Sequence, residues 1–109
     1  MSEVTLSEST LELLRDPVLG RDDVDTQIQY LIEAEYIRRL GRYQRTDDVL
    51  TEKYGMSFDE FAAQHVVKQK GYTWEVEKDA MAWEVAIDGI DTMKDRLLNL
   101  KVIRREHCG

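Results

Sequence analysis

KYGMSFDEF, residues Lys53 to Phe61, ends one helix and begins another with no linker between them. Gly55 stands where a helix closes on a residue of positive φ, and Met56 is placed to fold back as the hydrophobic contact that accompanies such an end. Ser57 and Glu60 then spell S-x-x-E, a capping box that satisfies the free amides of a new helix start. Stop and start this close together make a corner, so the fold depends on what lies on either side of it.

Upstream, apolar residues recur as Val24, Ile28, Leu31/Ile32, Tyr36, Leu40, Tyr43, Leu50 and Tyr54. Steps of three and four dominate, which is one stripe of an α-helix. Asp22, Asp23 and Asp25 crowd its start, where the helix dipole favours negative charge, and Asp22 or Asp23 is the expected N-cap. From Val24 to Tyr54 such a helix is roughly 46 Å long.

Downstream, Phe58, Phe61 and Val66 give a short helix one apolar side, Gly71 closes it, and Thr73 is a good N-cap for the next. That last helix carries a heptad, Val76, Ala80, Trp83, Ile87, Ile90 and Leu97, with Met93 standing in where Lys94 interrupts. It is expected to run to about Leu100. The fold expected is therefore all-α: a long antiparallel helical hairpin over residues 21–109, with a short connecting helix at the corner.

In that pairing, residues whose numbers sum to about 128 share a level. Arg38, Arg42 and Arg45 then stand opposite Glu84, Asp88, Asp91 and Asp95, so ion pairs across the arms are expected. Gly41 and Gly89 fall near one level too, either as tolerated imperfections or as a waist where another backbone approaches closely. Two long helices and a short one enclose little core, and Tyr30, Tyr36, Trp74, Met81 and Trp83 cannot all be hidden by one neighbour. Completion of a bundle by dimerisation or by docking on a partner is expected.

Residues 1–20 read as a separate N-terminal arm, flexible or ordered by a partner. Within it Glu3–Leu6 suits a short strand, and Ser7 starts a short helix ended by Arg15-Asp16-Pro17. A strand followed by two helices is the order of ribbon–helix–helix DNA binders, whose strand carries basic or polar side chains into the major groove. Here the strand residues include no Lys or Arg, and residues 1–26 carry a charge of −5. DNA binding is therefore not the expectation for this segment.

The chain of 109 residues has a net charge of −7, 34% charged and 42% hydrophobic residues, and a mean hydropathy of −0.51. Long amphipathic helices fit that mixture. A surface this acidic repels phosphate backbones and suits a basic protein partner; nucleic acid is not expected as a ligand of the protein alone. No apolar run approaches a membrane span and the first residues lack the pattern of a signal peptide, so a soluble, cytoplasmic protein is expected. The single cysteine, Cys108, has no partner for a disulfide or a zinc pair, and His107 beside it does not make a metal site by itself.

Catalytic patterns are missing. Di-iron bundles use Glu-x-x-His pairs, and the chain has none. All-α nucleotide pyrophosphohydrolases hold magnesium through Glu-x-x-Glu and Glu-x-x-Asp; no Glu here has Glu or Asp three residues later, which leaves only Asp88 and Asp91. No serine or cysteine is set beside a histidine base, and no glycine-rich phosphate loop is present. The expectation is a protein that is not an enzyme, with no cofactor and no metal. The stretch Tyr36–Arg45, arginines interleaved with tyrosines, has the composition of a single-strand binder, but the matching acidic stripe makes pairing within the chain the better account.

LIEAEYIRRLGRYQ, LTEKYGMSFDEF and YTWEVEKDAMAWEVAIDGI resemble small prokaryotic antitoxin components of toxin–antitoxin modules, over about residues 28–100. The resemblance implies an acidic helical protein that neutralises a basic, RNA-cleaving toxin, and it transfers no residue roles. From the residues themselves, Glu84, Asp88, Asp91 and Asp95 are expected to supply charge to such a partner, with Trp83 and Ile87 as apolar anchors. A homodimeric structural or adaptor bundle is the alternative, and a magnesium-dependent nucleotide pyrophosphohydrolase a more distant one.

Overall fold

The computed structural model describes residues 5–17 and 23–108, the last two by their backbone alone. Among these described residues five helices follow in order: α1 (Glu8–Leu14), α2 (Val24–Tyr54), α3 (Phe58–Ala63), α4 (Val66–Gln69) and α5 (Trp74–Cys108). Two compact units divide at Ala34, within α2. No strand occurs among the described residues.

The first unit, to Ala34, holds α1 and the start of α2. Ser7 caps α1 as its sequence implies, the hydroxyl accepting from the Thr10 amide at 3.2 Å. Asp23 is the cap of α2, its Oδ1 accepting from the Thr26 amide at 2.7 Å. Buried Gln27 donates from Nε2 to the carbonyl of Leu14, also buried, at the end of α1. That bond occupies a carbonyl the helix terminus leaves unpaired. Of the expected strand, Glu3 and Val4 lie outside the described residues, as do Gly20 and Asp22; Thr5 and Leu6 have no regular structure.

The second unit, from Glu35, is a helical hairpin whose arms are the rest of α2 and α5. Gly55 ends α2 with φ +66°, and its amide bonds to the Thr51 carbonyl at 2.8 Å. A side chain there would strain the backbone. Met56 packs against the core. The Ser57 hydroxyl accepts from the Glu60 amide at 3.2 Å, and the Glu60 carboxylate meets that hydroxyl at 3.3 Å rather than the Ser57 amide.

Two expectations are corrected at the corner and beyond it. The connection is two short helices rather than one, because His65 turns into the left-handed region at φ 51° and breaks the run between α3 and α4. Then α5 continues past Leu100 to Cys108. No glycine or proline occurs from Ile90 to Cys108, and Lys101, Arg104 and Arg105 suit the negative end of the helix dipole.

The hairpin core joins Leu50 of α2, Phe61 of α3, Val66 of α4 and Val76 and Trp83 of α5. Trp83 has no exposed surface at all. Its ring lies 5.0 Å from Phe61, 5.5 Å from Phe58 and 5.9 Å from Tyr54, centroid to centroid, so four aromatic rings form one cluster at the corner. Edge and stacked geometries of this kind stabilise beyond their buried area. The buried side of α5 continues through Ala86, Met93 and Leu100.

Contacts between the arms show the antiparallel register. Lys53 Nζ reaches Glu75 at 2.8 Å and Asp79 at 2.6 Å, the Tyr54 hydroxyl donates to Asp79 at 2.7 Å, and the Trp83 indole donates to Asp47 at 2.8 Å. Further along, Gly89 lies against the Tyr43 ring: a Cβ there would stand 2.5 Å from ring carbons. Gly89 is thus a notch for an aromatic ring. Gly41 has ordinary room, its nearest neighbour being the end of the Arg45 side chain at 3.6 Å.

Candidate functional site

An α-helix turns about 100° per residue, so positions three, four and seven apart share a face. With Val76, Trp83, Ala86 and Met93 fixed on the buried side of α5, the opposite side is set by Glu84, Asp88, Asp91 and Asp95, all exposed. None of these four forms an ion pair among the described residues. The expected pairing with Arg38, Arg42 and Arg45 is absent because the acidic stripe points away from α2. Arg38 and Arg39 are both taken by Glu35 of their own helix, Arg38 through two nitrogens and Arg39 at 3.0 Å. These two guanidiniums hold the Glu35 carboxyl down at about 2. Arg42 and Arg45 border an open groove shared with Val49 and Asp79.

Trp83 and Ile87 were the expected apolar anchors. Trp83 is enclosed by the aromatic cluster, and Ile87 is half-buried against the same core. Helix geometry gives the reason: Trp83 lies about 140° round the helix from Asp88. Apolar side chains that do share the acidic face are Met81 and Val85, 55% and 61% exposed, with Val102 further along. Trp74, at the start of the helix, is 71% exposed. Trp74 and Met81 are among the side chains that the sequence implied one neighbour could not hide; for Val85 and Val102, spacing relative to Glu84 and Asp88 was the signal that could have found them. A face on which carboxylates alternate with exposed apolar groups can bind a surface that supplies cations around a nonpolar centre.

At the corner this face runs into a cavity of about 330 Å³ between α3, α4 and α5. Phe58, Phe61, Val66, Val67 and Met81 form its apolar wall, and Glu84 stands on the α5 rim, opposite Lys68 and His65 on the α4 side. The wall is built by a Schellman turn after α4: Tyr72 donates to the Val67 carbonyl at 2.9 Å, Gly71 to that of Lys68 at 3.0 Å. This turn brings Tyr72 beside Val67, and both line the cavity. No residue pattern named in the sequence anticipated it.

On the side of α5 that meets α2 lies a polar clamp. Lys53 and the Tyr54 hydroxyl converge on Asp79 and hold its carboxyl below the usual range. Burial, with the bond to Asp79, pushes the Tyr54 phenol up to about 12. Both carboxylates lift the Lys53 ammonium above its ordinary value. The clamp fastens the arms at the corner, where every hydrogen-bonding group it uses is already engaged.

Among the described residues no three His, Cys, Asp or Glu are grouped to hold a metal ion. None of the described helices is long and apolar enough to cross a membrane. The side chains of His107 and Cys108 lie outside the described residues. Comparison with protein-family models, with curated proteins and with solved structures found no match.

Proposed function

We propose that this chain is an antitoxin-type binding protein of the cytoplasm, which neutralises a basic, RNA-cleaving partner by docking the outward face of α5 on it. One observation carries the proposal: Glu84, Asp88, Asp91 and Asp95 are exposed at helical spacing and form no ion pair within the described chain. Carboxylates kept together at like charge weaken a helix by a few tenths of a kcal/mol per pair, and a cationic partner relieves that repulsion. An RNA-cleaving protein offers a cleft built for phosphates, where fixed carboxylates compete for the same cations. The resemblance read in the sequence of residues 28–100 implies the same kind of partner.

A second proposal, a homodimeric adaptor, rests on the exposed Met81, Val85, Leu98 and Val102 of α5. Charge argues against the dimer across this face, because two copies would bring their acidic stripes together. The discriminating experiment is the double reversal Asp88→Lys/Asp91→Lys, assayed for rescue of cells expressing the neighbouring open reading frame. Loss of rescue with no loss of stability in a helical melt is the expected result. Retained rescue removes the acidic face from the interface.

A further inference from the structure

We infer that the corner cavity is the anchor site of this interface, taking one bulky apolar side chain from a basic amphipathic helix whose neighbouring cation pairs with Glu84; this rests on the binding role proposed above.

The cavity has the volume of a small ligand pocket and an apolar wall. Its two rims differ in charge. Glu84 lies on the α5 side, next in line to the exposed Asp88 and Asp91, while Lys68 and His65 lie on the α4 side. An occupant that enters from along α5 therefore meets carboxylates before and beside the cavity. A helix laid there places cations over Glu84 and Asp88 while a residue one turn away reaches the wall formed by Phe58, Val67 and Met81. Hot spots form where an aromatic or aliphatic anchor enters a pocket ringed by polar contacts, and this is the arrangement on the corner side of α5.

The local backbone adds support. His65 and Tyr72, the two non-glycine residues of positive φ among the described residues, both line this cavity. Left-handed backbone in side-chain-bearing residues costs on the order of 1 kcal/mol, and here it flanks α4, whose Val66 and Val67 both line the cavity while packing on the hairpin core. Met81, an unbranched and polarizable side chain, is suited to closing round a variable anchor.

Three synthetic helical peptides test the inference against the full-length chain by fluorescence anisotropy. The first is rich in Lys and Arg and carries one Phe beside a Lys. The second replaces that Phe with Ala, and the third replaces every cation with Glu. The first is expected to bind, the second about tenfold more weakly, and the third not at all. In the protein, Ala62→Trp fills the cavity from an exposed position and is expected to weaken the first peptide about tenfold without affecting the second. Equal binding of the first and second peptides overturns the anchor site while leaving the acidic face in place. Equal binding of the third overturns the charge complementarity on which the wider proposal stands.

Discussion

The indole Nε1–H of Trp83 donates to Asp47 Oδ1 at 2.8 Å, joining the middle of one arm to the most deeply buried side chain of the other. A heptad position alone makes Trp83 a core residue, yet a buried indole also needs an acceptor, and Asp47 supplies it from the facing stripe of α2. Replacing Asp47 with Leu leaves that N–H unpaired and is expected to lower stability by about 1–3 kcal/mol. Asp47→Asn keeps an acceptor and is expected to cost less. Urea denaturation of the two variants checks the difference.

The two glycines that fall near one level separate in a simple experiment. Gly89→Ala drives a methyl group into the Tyr43 ring and is expected to cost about 1–3 kcal/mol, as overpacking does. Gly41→Ala meets no such obstacle and is expected to stabilise its helix by up to about 1 kcal/mol. Tyr43→Leu, which removes the ring, should recover part of the Gly89→Ala loss in a double-mutant cycle.

The clamp at the corner makes stability depend on pH at both ends. Asp79 has a folded pKa below its ordinary value, so its contribution is complete above the usual carboxylate range and is lost as pH falls through the folded value. Tyr54 is raised, so its contribution is complete below about pH 10 and is lost as pH rises toward about 12. Thermal melts should show Asp79→Asn destabilised at neutral pH, with the gap to the parent chain narrowing in acid. Tyr54→Phe should flatten the decline on the alkaline side.

Reversal of exposed acids is expected to leave the fold intact. Asp88→Lys breaks like-charge contacts with Glu84 and Asp91 on the same face, so a small gain, about 0.2–0.5 kcal/mol, is the expected outcome in a thermal melt at low salt. The gain should shrink as salt screens the pair. A carboxylate stripe kept at a cost to stability is consistent with service to a partner.

The corner was legible because its chemistry is local: Gly55 and Ser57 each act on amides within one turn, and no distant contact can override them. The length of α2 and the antiparallel arms follow from the same stripe of apolar residues. What failed was the choice of face. Trp83 served at once as a heptad position and as a partner's anchor, and a helix that buries one side cannot offer it both; the aromatic cluster decided for the core. Arg42 and Arg45 match the acidic stripe in height, but height along an axis does not set rotation about it. The break at His65 carries no glycine or proline to announce it, and the cavity it helps to form depends on three helices, α3, α4 and α5, meeting in space.

The most direct test is light scattering on a sizing column, with the chain tagged and co-expressed with its neighbouring open reading frame. The expected result is a mixed complex with a basic protein that is toxic alone, which Asp88→Lys/Asp91→Lys dissociates with no loss of stability in the helical melt. A peak whose mass is a whole number of these 12.8 kDa chains, with the neighbour absent, would contradict the account and leave a self-sufficient helical bundle.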